Sequence, residues 1–116
     1  MPLNCIPVTT TAEAFAAKES AIEDRVWVDV CFIGGIVSDN ASSPSQLTQL
    51  MDCGPGAVKS FMCHSGIDEF SHISLKDLNL ATPILVDRQV PLFLHAELQC
   101  EHHKYDTHTH THTHTR

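Results

Sequence analysis

Basic residues are scarce in this chain. Its 116 residues include seven Lys and Arg against fourteen Asp and Glu, which gives a formal net charge of −7. Nucleic-acid binding depends on clustered Lys and Arg that neutralise phosphates. The few basic residues here are scattered along the chain, so we expect no nucleic-acid partner.

Long hydrophobic runs are missing as well. Spanning a bilayer takes roughly 20 consecutive apolar residues, and no stretch of this sequence approaches that length. The first residues, Met1 to Asn4, have no basic region followed by an apolar core and do not resemble a secretory signal. We therefore expect no membrane association and an intracellular location, either cytoplasmic or organellar.

The cysteines lack paired spacing. There are five of them, an odd number, and none forms a Cys-x-x-Cys pair. This pattern argues against both a disulfide framework and a zinc finger. Cys31, Cys53 and Cys63 lie in or beside apolar runs, and they are most simply interpreted as buried thiols of an intracellular protein.

The carboxyl-terminal segment contains nothing to bury. Residues 107–116 alternate Thr and His before the final Arg, and we expect them to be disordered. A histidine metal tail is one interpretation. A translated dinucleotide repeat is the stronger one, because a repeat of A and C read in triplets encodes alternating Thr and His.

The rest of the chain alternates short apolar runs with stretches of helical character. The apolar runs recur at steps of 32 and 33 residues, over residues 26–32, 57–62 and 91–95. Helical spacing is found over residues 11–22, 45–53 and 74–86. Pro83 is expected to kink or interrupt the last helix. Strand and helix alternating at this length are typical of βα units with a parallel sheet, which leaves a doubly wound sheet and a (β/α)₈ barrel both open.

Functional side chains in both architectures gather at the carboxyl ends of the strands. That edge would hold Gly34 and Gly35 after the first run, Lys59 within the second and His95 at the end of the third. Singly, Lys59 is more simply a lysine that snorkels to the surface, and His95 a hydrogen-bonded core histidine. Their equivalent positions in successive units predict that both side chains converge. A neutral imidazole suits zinc, and a lysine carboxylated by carbon dioxide can bridge two metals.

Four segments, in order, resemble the allantoinase family of the amidohydrolase superfamily, to which dihydroorotase and dihydropyrimidinase also belong. They are residues 1–7, 28–35, 58–66 and 94–97. The most specific pair is Lys59 to Met62 with a following Ser-Gly, and then His-Ala-Glu about 35 residues later. The resemblance extends over about residues 1–98.

The resemblance implies an α/β fold, a fragment of about three βα units from a (β/α)₈ TIM-type barrel. It also implies two zinc ions, bridged by a carboxylated lysine that Lys59 matches and ligated by a histidine that His95 matches. Asn4 and Ser65 are similar to loop residues that contact the substrate. The implied reaction opens the hydantoin ring of allantoin to give allantoate, in an enzyme that is commonly a homotetramer.

The chain departs from the family pattern in its set of ligands. The His-x-His pair of the family precedes the segment matched here, and a further histidine and the aspartate base follow it. Ile33 stands where tryptophan is common, and His64 where proline is common. We therefore predict a partial barrel over residues 1–98, an unrelated linker over 99–106 and a disordered tail over 107–116, without catalytic activity.

Three alternatives remain open at this stage. One is a non-catalytic interaction protein of the same superfamily, although retention of Lys59 and His95 argues against a lineage that has discarded its metals. Another is a related cyclic amidase such as dihydropyrimidinase. A small autonomous α/β binding module is supported only by the length of the chain.

Overall fold

The structure is a computed structural model that describes residues 1–97. Its elements are α1 (Ala12–Ile22), β1 (Ile33–Gly35), α2 (Ser38–Ala41), α3 (Pro44–Asp52), β2 (Ala57–Phe61), α4 (Leu75–Asp87) and β3 (Leu92–His95). The strands form a parallel sheet in the order β1-β2-β3. The predicted α/β fold with a parallel sheet is confirmed. The predicted linker at residues 99–106 and tail at residues 107–116 lie outside the described residues.

The helices cover one face of the sheet. Val58 and Ser60 of β2 are fully buried on that face, because side chains on a strand alternate between its two faces. They lie against a core formed by Phe15, Ile36, Ala41, Leu47, Leu50, Met51, Ile73, Ala81 and Leu85. The opposite face of β2 and β3 is only partly covered, and it carries Lys59, Phe61, Phe93 and His95.

The helix signals in the sequence are confirmed. Thr11 caps α1, and its side-chain oxygen accepts a hydrogen bond from the amide of Ala14 at 3.2 Å. After α3, Gly54 takes a left-handed φ of 77°, which glycine adopts without steric cost. The expected interruption at Pro83 is wrong, since α4 continues through it to Asp87. Pro83 lies on the exposed side of α4, where water can reach the carbonyl that lost its amide donor.

The first predicted strand, residues 26–32, is wrong. In the structure β1 begins at Ile33, which pairs with Ala57. The residues just before Ile33 therefore lie opposite residues 54–56, a Gly-Pro-Gly loop that offers no strand to pair with. The apolar run stays outside the sheet, and Trp27 is 99% exposed.

The expectation of buried thiols is wrong too. Cys31 is exposed, whereas Cys53 and Cys63 are half-buried. Cys31 lies in the run that never joins the sheet, which explains its exposure. None of the helices in residues 1–97 is long and apolar enough to cross a bilayer.

The carboxylate of Asp77 links the start of α4 to α2 through hydrogen bonds. Asp77 is buried, and it accepts hydrogen bonds from the amide of Ser74 at 2.9 Å and from its hydroxyl at 2.8 Å. The hydroxyls of Ser38 and Ser42 donate to it at 3.3 and 3.5 Å. The Ser74 amide, and then the Ser74 hydroxyl, hold the pKa of Asp77 below its usual value, while burial opposes them.

We expect Asp77→Asn to lower the free energy of unfolding at pH 7 by about 1 kcal/mol, because the reciprocal cap of α4 is weakened. A carboxyl group whose pKa is lower in the folded than in the unfolded state stabilises the fold at pH values above its unfolded-state pKa. This stabilisation is lost as the pH falls through its folded-state pKa. The stability of the unmodified chain should therefore fall below about pH 4, and Asp77→Asn should flatten that slope.

Urea unfolding followed by circular dichroism between pH 3 and 7 measures both effects. Asp39→Asn is the matched control, because Asp39 is exposed on α2 and surface substitutions usually stay within about 0.5 kcal/mol. Identical pH slopes in the two variants would contradict the role assigned to Asp77.

Candidate metal centre on the open face of the sheet

Lys59 and His95 lie on the same face of neighbouring strands. In the parallel register Lys59 pairs with Phe93 and Phe61 pairs with His95, so all four side chains point away from the helices. His95 lies two residues closer to the carboxyl edge than Lys59, which corresponds to about 7 Å along the strands. The expected common face is found, although Lys59 lies inside β2 and not at its end. Their roles as metal ligands stay predictions.

The ring of Phe61 orients both side chains. The Lys59 Nζ lies 4.6 Å from the ring centroid, within the range of a cation–π contact. The imidazole of His95 stacks on Phe61 with centroids 5.3 Å apart and planes inclined by 17°. Within residues 1–97 no carboxylate oxygen lies within 4.0 Å of the Lys59 Nζ, so this nitrogen is not held by an ion pair there.

His95 also contacts acidic and thiol groups beyond the strand ends. Its Nε2 lies 2.8 Å from Glu97 Oε1, and one ligand atom from each of Cys63, His95 and Glu97 falls within 4.8 Å of the other two. The ladder continues past β2, because the amide of Met62 donates to the carbonyl of His95 at 2.9 Å. Cys63 and Glu97 thus stay beside each other, two residues after Phe61 and His95.

Ser65 lies in the loop between β2 and α4, and its hydroxyl is used within that loop. The Oγ lies 2.6 Å from the carbonyl oxygen of Phe70 and 3.1 Å from that of Ile67. These bonds hold the backbone of Phe70 in place. The fully buried Phe70 ring packs against Gly35, and a Cβ added at Gly35 would lie 2.5 Å from that ring. The predicted substrate contact of Ser65 is not tested by this geometry, which shows a loop-shaping role.

Asn4 is exposed in the amino-terminal loop, beside a cavity of about 560 Å³. The cavity is lined by residues 3–8 on one side and by Ile67 and Glu69 on the other. Asn4 therefore faces the loop that Ser65 shapes. Both residues predicted to contact substrate belong to segments around one cavity, and their contacts with a substrate stay predictions.

The donors present on the open face fit part of a zinc centre. Imidazole nitrogen is a normal zinc ligand. Lysine contributes oxygen ligands only after its amine has been carboxylated, and the Lys59 Nζ is free of ion pairs within the described residues. These two side chains do not complete the coordination of two ions, so further ligands must come from outside them.

Sequence reasoning missed Cys63 and Glu97 as candidate ligands. Both lie two residues beyond a strand residue of the open face, Phe61 or His95. Continuing the two-residue alternation past the strand ends would have found them. It also missed Asn40, which is 2% exposed and hydrogen-bonds to the backbone of Thr10 in the amino-terminal segment and of Gly35 and Val37 just before α2. The contact with Thr10 is the long-range one, and only the fold supplies it.

Comparison with known proteins shows what the chain resembles. It is 40% identical over 99 residues to "Allantoinase" of Arabidopsis thaliana, covering 85% of this chain and 20% of that protein. It is 37% identical over 102 residues to "Allantoinase" of Saccharomyces cerevisiae, covering 88% of this chain and 22% of that protein. The chain thus spans about a fifth of the length of these curated relatives. No protein-family model matches it.

The fold comparison agrees with the sequence comparison. The structure matches "L-Hydantoinase (Dihydropyrimidinase) from Arthrobacter aurescens" with a TM-score of 0.73 and 29% identity, covering 84% of this chain and 21% of that chain. The expected resemblance to allantoinases is confirmed. The matched part of this chain corresponds to about a fifth of a TIM-barrel hydantoinase, as expected for a barrel fragment.

Proposed function

We propose that this chain is a segment of an allantoinase-type cyclic amide hydrolase and that Lys59 and His95 are metal ligands in the complete site. One observation carries the proposal. The two side chains lie on one open face of adjacent parallel strands, in a segment that is 37–40% identical to curated allantoinases from yeast and a plant. The comparison concerns a fifth of those proteins, so the activity itself remains part of the proposal.

The chemistry follows from the two donors. If Lys59 were carboxylated, its amine nitrogen would bond to the carbon of carbon dioxide with release of a proton, and the new carboxylate would offer two oxygens as zinc ligands. His95 binds through a neutral ring nitrogen, held in place by its stacking on Phe61. When bound, zinc supplies a hydroxide at neutral pH and polarises the amide carbonyl of the ring.

The substrate proposed is allantoin, whose hydantoin ring is opened to allantoate. Asn4 would bind the ring across the cavity that it lines, and Ser65 would act by holding the opposite loop in place. A related cyclic amidase is the second candidate, because the matching structure is titled a hydantoinase (dihydropyrimidinase). The curated relatives named above favour allantoin.

We also infer that the chain acts inside the cell as part of a homotetrameric enzyme. A relative from Aquarana catesbeiana, 37% identical over 99 residues, is named "Allantoinase, mitochondrial". The cysteines within residues 1–97 are free thiols, as is usual in a reducing compartment.

The isolated 116-residue chain is expected not to hydrolyse allantoin, even with added zinc and bicarbonate. Catalytic geometry tolerates errors of only about 0.5 Å, and Lys59 and His95 cannot hold two ions alone. The measurement is allantoate production by the purified chain, compared with the Lys59→Ala variant. Turnover that disappears in Lys59→Ala would refute the inactive state while supporting Lys59 as a ligand. Turnover that is equal in both would contradict the metal role of Lys59.

A further inference from the structure

The strand register brings a thiol, an imidazole and a carboxylate to one point. Phe61 pairs with His95, and the ladder bond from Met62 to the His95 carbonyl keeps the two chains side by side for the next residues. Cys63 and Glu97 follow at the same interval, so their side chains flank that of His95. One ligand atom from each of the three lies within 4.8 Å of the others.

We propose that Cys63, His95 and Glu97 form a zinc-class metal site of their own, without any donor from Lys59. Thiolate sulfur, imidazole nitrogen and carboxylate oxygen are the three ligand types that zinc takes in proteins. Three protein ligands leave a fourth position open to water, as in catalytic zinc sites. The proposal does not rest on the hydrolase function, and in this chain it has His95 bind an ion with Cys63 and Glu97 in place of Lys59.

The charges of the three groups suit a divalent cation. A thiolate and a carboxylate together balance a charge of +2, while a neutral imidazole adds a third donor. His64, which follows Cys63 in the chain, has other partners, because its Nδ1 accepts from the amide of Gly66 at 3.0 Å and its Nε2 lies 3.9 Å from Asp68. The Lys59 Nζ rests over the ring of Phe61.

The geometry needs only a small adjustment to close around an ion. Ligand atoms bound at about 2.0–2.3 Å in a tetrahedron lie roughly 3.5 Å apart. The 2.8 Å hydrogen bond between His95 Nε2 and Glu97 Oε1 must therefore open slightly, while all the ligand atoms already lie within 4.8 Å of one another. His95 and Glu97 are exposed and Cys63 is half-buried, so their side chains can move by rotamer changes. Because His95 is held by stacking on Phe61, mainly Cys63 and Glu97 need to reorient.

Cobalt(II) titration of the reduced, metal-free full-length chain tests the proposal. Cobalt bound to a thiolate gives a near-ultraviolet charge-transfer band that histidines alone cannot produce, so the Thr-His segment at residues 107–116 does not interfere. We expect the band to reach its maximum at one equivalent of cobalt per chain, to disappear when zinc is added, and to be absent in Cys63→Ser. Cys31→Ser is the matched control, because Cys31 is exposed and outside the cluster, and it should keep the band.

His95→Asn and Glu97→Gln should each weaken cobalt binding at least about 10-fold, with circular dichroism confirming that the variants stay folded. A titration without the band, or a band that persists in Cys63→Ser, would overturn the proposal. Cobalt binding that is lost in Lys59→Ala and kept in Cys63→Ser would also overturn it. That last outcome would place the ion at Lys59 and His95 and so support the proposed hydrolase site.

Discussion

An exchanged enzyme, in which residues 1–97 replace the aligned segment of the Arabidopsis relative, is expected to hydrolyse allantoin, and Lys59→Ala should abolish this activity. The two segments are 40% identical over 99 residues, and the rest of the relative would pair the open edges of β1 and β3. Loss of an outer partner of a metal ligand costs about 10–100-fold. If Lys59 is the proposed metal ligand, its loss should therefore lower kcat by at least about 100-fold.

The matched control is Lys76→Ala in the same exchanged enzyme. Lys76 is an exposed lysine of α4, so its removal changes the same charge far from the open face. Allantoate production gives kcat and KM, and elemental analysis gives the bound metal. We expect Lys59→Ala to lose bound metal together with activity. A folded exchanged enzyme with full activity in Lys59→Ala would contradict the proposed site.

Replacement of Asn40 by aspartate should produce the largest loss of stability. The Nδ2 of Asn40 donates to the carbonyls of Thr10 at 2.8 Å and Gly35 at 2.9 Å, while its Oδ1 accepts from the amide of Val37 at 3.0 Å. Asn40→Asp replaces both donors with a charged acceptor that faces two carbonyl oxygens. A buried charge without a partner costs about 3–5 kcal/mol, a large part of the roughly 5–15 kcal/mol that holds a domain together.

Urea unfolding of the full-length chain measures this loss. Asn79→Asp is the matched control, because it makes the same change at an exposed position of α4 and should stay within about 0.5 kcal/mol. Asn40→Asp within 1 kcal/mol of that control would show that the hydrogen bonds of Asn40 to Thr10, Gly35 and Val37 do not stabilise the fold as argued.

Much of the fold could be predicted because its signals are local. Thr11 and Ser74 cap helices within four residues of themselves, and the apolar spacing of α3 is visible in the sequence. The apolar runs that predicted β2 and β3 lie where these two strands pair with each other in the structure. The first strand could not be predicted, because pairing of residues 26–32 depends on what lies opposite them. Residues 54–56 form a loop there, and an apolar run without a partner strand stays outside the sheet.

The candidate site was also predictable only in part. Lys59 and His95 were predicted to share a face, and the structure has them there, because two-residue alternation and the parallel order follow from the pattern of the chain. The engagement of Ser65 with the carbonyls of Ile67 and Phe70 could not be predicted, since it depends on the path of a loop. The packing of Phe70 against Gly35 could not be predicted either, because these residues are far apart in the sequence.

By itself the sequence determined three of the four helices within residues 1–97, two of three strands, the family resemblance and the common face of Lys59 and His95. These depend on spacing along the chain, which the residues carry with them. Only the tertiary structure decided where β1 begins, that Asn40 bonds to the backbone of Thr10, and that Cys63 lies beside His95 and Glu97. Such contacts arise between distant segments, and the register between neighbouring strands is settled when the helices pack onto one face of the sheet.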